Sequence, residues 1–281
     1  MLDERGPFRL MQSAGPNDTV FAGSIPAIYD RYMVPLFFRP YARELSERAR
    51  RLQPKLILET ASGTGVVTEL LHQALPHAQI IATDLNEPML AQAAARIRQS
   101  NVVFRYADAL ALPFEDESFD LVVCQFGVMF FPDKVRGNAE ARRVLRPGGG
   151  YLLAIWDEVG RNLATKVVGT ALAQMFQDET AAFYERLPFR YHDIDTIHGD
   201  LRAAGFERIE IETVELRSHA ASARDVAIAL TQGTPMRSEI EAWSPEALAN
   251  ATEAAEHALR IFETEVGFDA PMSAHIVTAT K

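Results

Sequence analysis

Cysteine is almost absent from the 281 residues: Cys124 stands alone, which excludes an intramolecular disulfide framework and makes a reducing cytoplasm the expected compartment. It lies in the apolar run Leu121-Val122-Val123-Cys124, where a thiol serves as a small buried hydrophobe. Long apolar stretches are missing too. No uninterrupted run approaches the ~18–20 residues of a membrane span, and the opening MLDERGPFRLMQ lacks a secretory core, so no transmembrane segment is expected. Positive charge is scarce: the formal net charge is −10, and basic residues concentrate no further than Arg48-Ala49-Arg50-Arg51. That balance disfavours nucleic acid as a partner, because such proteins carry a basic footprint that neutralises phosphates. With 48% hydrophobic and 23% charged residues, the chain is neither disordered nor fibrous in composition; it suits one soluble α/β domain carrying insertions.

What is present is a regular alternation of short apolar runs and helical segments. Residues 1 to about 20 contain Gly6, Pro7, Gly15 and Pro16 and show no periodicity. Helical spacing then runs from Ile28 to Leu52, interrupted at Pro35 and Pro40. Its first half concentrates Tyr29, Tyr32, Phe37, Phe38 and Tyr41, read either as core and helix-packing surface or as an aromatic flap over a ligand site. The organising stretch is KLILETASGTGVVTELL, residues 55–71. Leu56 to Glu59 reads as a buried strand and Val66, Val67, Leu70 and Leu71 recur at helical spacing. The loop between them has little side-chain bulk, so a ligand can lie against bare backbone N–H groups at a helix start.

The unit repeats. Strands are expected at Gln79–Thr83, Val102–Tyr106, Phe119–Cys124 and Tyr151–Ile155, with helices at Pro88–Arg98 and about Lys134–Leu145. Short strands alternating with helices imply βαβ units and a parallel sheet covered on both faces. Beyond Trp156 the pattern loosens: an amphipathic helical stretch at 161–187, a helix Ile194–Ala204 closed by Gly205, an alternating strand Arg208–Arg217, Ala-rich helices over 222–266, and a last strand Ser273–Thr280. The resulting organisation is an N-terminal aromatic segment (1–52), a ligand-binding core (53–157), a helical insertion (158–206), strand six (207–217), a second helical insertion (218–270) and the last strand (271–281).

In an open α/β sheet, ligands bind beyond the carboxyl ends of the strands at a topological switch point. Glu59 to Gly65, Asp84, Asp108-Ala109 and Gln125-Phe126-Gly127 all fall at such ends. Asp84 suits a ribose diol, since a carboxylate accepts from two adjacent hydroxyls; its alternative is to cap the helix near Pro88. Asp108 can accept from an exocyclic adenine amine while the Ala109 N–H donates to a ring nitrogen. A third glycine for pyrophosphate is missing, and the β-branched Val66-Val67-Thr68 crowd the place where a dinucleotide needs close approach.

The set ILETASGTG, ATDLNEPML, YADALALPFEDESFD and RRVLRPGGGYLLAIW resembles the class I S-adenosylmethionine-dependent methyltransferases, in particular the small-molecule enzymes related to ubiquinone and menaquinone biosynthesis methyltransferases. The resemblance covers about residues 55–156 closely. It implies a Rossmann-like, doubly wound, seven-stranded sheet, mostly parallel, with Ser273–Thr280 as an antiparallel strand between strands five and six. It also implies S-adenosylmethionine as cofactor and S-adenosylhomocysteine as product. By position, Glu59 is the loop-organising acid near the amino-acid part, Ala61, Ser62 and Gly63 the backbone cradle, Asp84 the ribose acid, Leu85 and Met89 the apolar neighbours of adenine, and Asp108 with Ala109 the adenine readers. Gln125 and Phe126 stand near the methyl-bearing sulfur. The family's usual glycine is replaced by Ala61, which predicts a negative φ there and a slightly narrower loop.

A sulfonium methyl is already activated, so the protein's part is alignment and exclusion of water. A base is needed only for an acceptor that must lose a proton; Tyr29, His192 and His219, with His198 and Asp133, are candidates that no spacing ties to a partner. No metal is expected. The motif Gln125-Phe126-Gly127-Val128 is not the Asn-Pro-Pro-Tyr type associated with base or amide nitrogens. The helical insertions and the aromatic N-terminal segment read as a lid over a mostly apolar pocket, and a small, apolar or lipid-like organic acceptor is expected. The rival readings are a NAD-dependent oxidoreductase and a non-catalytic nucleoside-binding regulatory protein.

Overall fold

The computed structural model describes residues 23–176 and 182–281; the breaker-rich leader and part of the 161–187 helical stretch lie outside these. Among the described residues the chain opens with a short helix α1 (Ile25–Ile28), a π-helical segment (Tyr29–Phe38) and α2 (Arg39–Leu52). The predicted interruptions therefore take two forms. Pro40 sits in the first turn of α2, where its missing N–H costs nothing. Pro35 stands inside the π-helix, whose i→i+5 geometry avoids the clash that a proline ring makes with the carbonyl four residues back.

The core alternates as expected: β1 (Leu56–Thr60), α3 (Val66–Ala74), β2 (Gln79–Asp84), α4 (Glu87–Arg96), β3 (Val102–Tyr106), β4 (Phe119–Gln125), α5 (Lys134–Val144) and β5 (Leu145–Trp156). It continues through α6 (Leu163–Phe176), α7 (Ala182–Arg186), α8 (Ile194–Ala203), β6 (Arg208–Ala220), α9 (Ala223–Gln232), α10 (Met236–Glu241), α11 (Ala247–Leu259), β7 (Glu263–Thr264) and β8 (Gly267–Thr280).

The sheet order is β3-β2-β1-β4-β5-β8-β6. The first five pair in parallel, and β8 runs antiparallel between β5 and β6. The chain winds outward from β1 in both directions, so the switch point lies between β1 and β4, and the crevice above their carboxyl ends is where a ligand belongs. Seven strands form this path as expected, with the two-residue β7 added on the flank of β8.

Three strands extend further than the sequence pattern indicates. β5 begins at Leu145, because the glycine run is absorbed as a register shift: Phe119 faces Leu145 while Leu121 faces Gly150. β6 and β8 pair from Arg208↔Thr280 to Ala220↔Phe268. The first half of β8, with Gly267 and Pro271, reads as a breaker-rich stretch. Yet β5 pairs only with the part from Ala274 onward, so Pro271 needs no donor on that side. The central parallel strands β1 and β4 are apolar and deeply buried, with Ile57, Leu58, Leu121, Val122, Val123 and Cys124 shielded from solvent, as expected for a sheet covered on both faces, whereas the edge strand β3 is partly exposed.

Candidate functional site

A cavity of about 570 Å³ opens at the switch point. Four elements bring the strand-end residues to it. Ala61 and Gly63 follow β1, Asp84 ends β2 with Leu85 and Met89 beyond it, Asp108 and Ala109 follow β3, and Gln125 ends β4 with Phe126 next; all of these line the cavity. Glu59 and Ser62 do not, although both are buried beside it.

The loop after β1 departs from expectation at one residue. Ala61 has φ +53, in the left-handed region, where an L side chain costs roughly 1–2 kcal/mol. The predicted negative φ is wrong, and the reason lies across the site. A Cβ at Gly127 would come 2.4 Å from Ala61 Cβ and 2.9 Å from Cys124 Sγ, so the bare backbone at 127 makes room for the alanine methyl. Phe126, next to it, also has positive φ, +52, and its N–H donates to Ala154 O at 2.8 Å. Two non-glycine residues in this conformation meeting at one cavity is the kind of strain that clusters at functional sites.

Asp84 is 8% exposed and organises the cradle. Its Oδ2 accepts from Gly63 N at 2.8 Å and its Oδ1 from Asn86 N at 2.8 Å. Asn86, not Asp84, is the N-cap residue of α4, so the capping alternative does not describe this carboxylate. Burial raises its pKa against the hydrogen bonds that favour the charged form. Glu59 lies deeper, 2% exposed, accepting from Thr68 Oγ1 at 2.5 Å. Burial, reinforced by the Asp84 charge, pushes its carboxyl up to about 8. Asp108 Oδ1 accepts from Leu110 N at 2.8 Å, fixing the turn after β3. Leu85 and Tyr106 line the cavity while 52% and 56% exposed, leaving apolar surface on which a flat base can lie.

On the β4–β5 side the wall is aromatic. Phe126 stacks on Trp156 with ring centroids 3.8 Å apart and planes within 5°. Phe38 approaches both at 5.7 and 6.1 Å, Phe189 comes within 5.7 Å of Trp156, and Tyr29 stacks on Phe38 at 5.0 Å. Tyr29, Met33, Phe37 and Phe38 of the π-helix line the cavity together, because the wider turn keeps residues four to five apart on one face. The aromatic N-terminal stretch is thus both buried packing and cavity wall. Gln125 Nε2 donates to Phe38 O at 3.2 Å, tying that segment to the end of β4. On the other side, Arg96 donates to Thr64 O at 2.7 Å and pairs with Glu69, which also accepts from Arg39 at 3.1 Å.

Of the proton-transfer candidates, Tyr29 lines the cavity, its hydroxyl pKa raised by burial and by the Asp84 and Asp30 charges. The others lie away from it. His192 Nδ1 bonds Phe189 O, His198 is exposed on α8, His219 is 70% exposed beside Asp269, and Asp133 caps α5 by accepting from Arg136 N. Trp156, Phe189 and Leu230, which also line the cavity, were not singled out from the sequence. Trp156 could have been, since it ends a parallel strand and the carboxyl-end rule applies to it as to Phe126.

Residues 57–149 match the methyltransferase domain family. The chain is 34% identical over 168 residues to a ubiquinone/menaquinone biosynthesis C-methyltransferase of Acidiphilium cryptum, covering 55% of this chain and 67% of that protein. It is 38% identical over 117 residues to a demethylmenaquinone methyltransferase of Deinococcus radiodurans, covering 41% and 48%. A Thermus thermophilus demethylmenaquinone methyltransferase is covered to a similar extent, so the chain spans about half the length of these two relatives. Among solved structures, phosphoethanolamine N-methyltransferase 2 of Haemonchus contortus in complex with S-adenosyl-L-methionine has a TM-score of 0.57 at 19% identity, covering 92% of this chain and 56% of that one. The cyclase SpnF has a TM-score of 0.55 at 21% identity, covering 86% and 80%. At these identities the two structures share the fold.

Proposed function

The chain belongs to the class I S-adenosylmethionine-dependent methyltransferases, and from that premise we propose that it methylates a small, uncharged, flat organic acceptor held at the aromatic end of the cavity. The observation that carries this reading is the division of the cavity along the sheet. Among the described lining residues the charged ones are Asp84 and Asp108, at the ends of β2 and β3. Phe126 and Trp156 end β4 and β5, on the other side of β1. With neighbouring strands ~4.8 Å apart, β2 and β5 stand three strand spacings apart, enough for a nucleoside at one end and a ring at the other.

The residues at the acidic end fit the family's cofactor. The Asp84 carboxylate retains lone pairs for the ribose hydroxyls, the Leu85 and Tyr106 surfaces await a base, and Glu59 is a buried carboxyl suited to a cationic neighbour. When bound, S-adenosylmethionine supplies an activated methyl group. The chain's own part is to bind, align and exclude water. The aromatic wall holds a flat acceptor by stacking, and the helical segments of 158–206 and 218–270 serve with the N-terminal segment as its cover. No histidine faces the cavity among the described residues, and the Tyr184 hydroxyl there donates to Leu230 O at 2.8 Å. Tyr29 also lines the cavity, but its raised pKa makes it a poor base at neutral pH, so an acceptor whose nucleophilic atom is already ready to react suits the site best.

The relatives named for quinone biosynthesis support a ring-bearing acceptor. A second reading comes from the cyclase with the same fold: such a scaffold can host a different reaction. Calorimetry tests the premise, with S-adenosylmethionine and S-adenosylhomocysteine expected to bind and NAD not. Binding of NAD in place of both would sink the proposal.

A further inference from the structure

We propose that Met33 sets the size limit of the acceptor, because the two covers of the aromatic chamber close on its side chain. This rests on the reading that the aromatic end of the cavity receives the acceptor. One cover is the π-helix; the other is the end of α9 with the turn into α10, which contribute Leu230 and then Thr234 and Pro235 to the same wall. Met33 is 7% exposed and reaches across to that turn. A Cβ at Gly233 would lie 2.9 Å from Met33 Cγ and 3.2 Å from Sδ, so the thioether packs against bare backbone. Outside this contact, Arg237 Nη1 donates to Ser24 Oγ at 2.6 Å, fastening α10 to the start of the N-terminal helix.

The geometry has a direct consequence for specificity. A substituent leaving the chamber between the covers must displace Met33, while a compact ring need not. Methionine is unbranched and adaptable, so the limit is a graded one that falls with the length of the substituent. Acceptors with a compact ring are favoured over rings bearing long aliphatic chains.

Binding of naphthol, and of naphthols carrying an ethyl, butyl or octyl chain, to protein saturated with S-adenosylhomocysteine tests this. Trp156, at the chamber wall, reports by fluorescence once the second tryptophan is removed by Trp243→Phe. In that background affinity is expected to drop at least about tenfold between naphthol and the octyl compound. Met33→Ala should bring the octyl compound to within about threefold of naphthol, and Met33→Phe should bring the drop forward to the ethyl compound. S-adenosylhomocysteine affinity should stay the same in all three proteins. An unchanged chain-length preference in both variants would overturn the assignment of Met33 alone. Failure of the unsubstituted protein to bind any naphthol, with S-adenosylhomocysteine still bound, would overturn the acceptor reading and the size limit with it.

Discussion

At the scale of single residues, the cradle depends on groups that do two things at once. Asp84 holds the Gly63 and Asn86 N–H groups and faces the cavity, so Asp84→Ala should weaken S-adenosylmethionine binding at least about tenfold, equivalent to ~1.4 kcal/mol; unchanged calorimetric affinity would contradict the ribose role proposed for it. Ala61 and Gly127 form a steric pair. Gly127→Ala should destabilise the fold by about 1–3 kcal/mol in urea denaturation, and adding Ala61→Gly should recover part of that loss, the contact with Cys124 Sγ remaining; strict additivity of the two changes would refute the contact. Glu59 titrates upward to about 8 because it is buried. The native state thus holds a proton that the unfolded chain releases above the ordinary carboxylate range, and this contribution falls as pH rises towards 8. Glu59→Gln should therefore gain thermal stability relative to the parent as pH is raised from 6 to 9, on the order of one kcal/mol; a constant difference across that range would show that the carboxyl is ionised throughout. The acids were legible in sequence because each ends a strand. The left-handed φ of Ala61 was not, since it is permitted by a glycine far along the chain that no local pattern connects to it.

At the scale of elements, β8 joins the sheet to the covers through His275. The ring is 3% exposed; its Nε2 lies 2.9 Å from His192 O and its Nδ1 2.9 Å from Thr213 Oγ1, with Asp157 Oδ1 at 3.4 Å. Burial lowers its pKa, against the Asp157 charge and the bond to His192 O, with the His192 ring adding slightly to the lowering. A base depressed in the folded state contributes stability that is present above its unfolded value, ~6.5, and lost as pH falls below it. Protection of the amides before α8, taken relative to their intrinsic exchange rates, should therefore fall between pH 7 and 5, and His275→Gln should flatten that dependence; an equal loss of protection in both proteins would place the titration elsewhere. The parallel strands were readable as apolar runs with punctuation, and β3 matches its expected bounds. The first half of β8 was not readable, because Gly267 and Pro271 signal a loop unless one knows that β5 has already ended beside them. The π-helix escaped as well: two prolines in an amphipathic run look like breaks, and only tertiary packing shows that the helix continues by widening.

At the scale of the whole molecule, the division of one cavity into an acidic end and an aromatic end carries the functional account. The order Glu59, Asp84, Asp108, Gln125 was visible because an α/β sheet presents its strand ends in sequence order, apart from the reversal at the switch point. The aromatic chamber was only partly visible: Tyr29, Phe37 and Phe38 stood out by composition, whereas Trp156, Phe189 and Leu230 are gathered by helices that pack over long sequence separations, for which periodicity gives no address. No helix among the described residues is long and apolar enough to cross a membrane. The central claim is methyl transfer to an uncharged ring. Its most direct test is mass spectrometry of cell-extract metabolites after incubation with methyl-labelled S-adenosylmethionine, for which the account predicts one labelled methyl group on neutral, ring-bearing small molecules. Label found solely on tRNA, folded protein or anionic metabolites would contradict it.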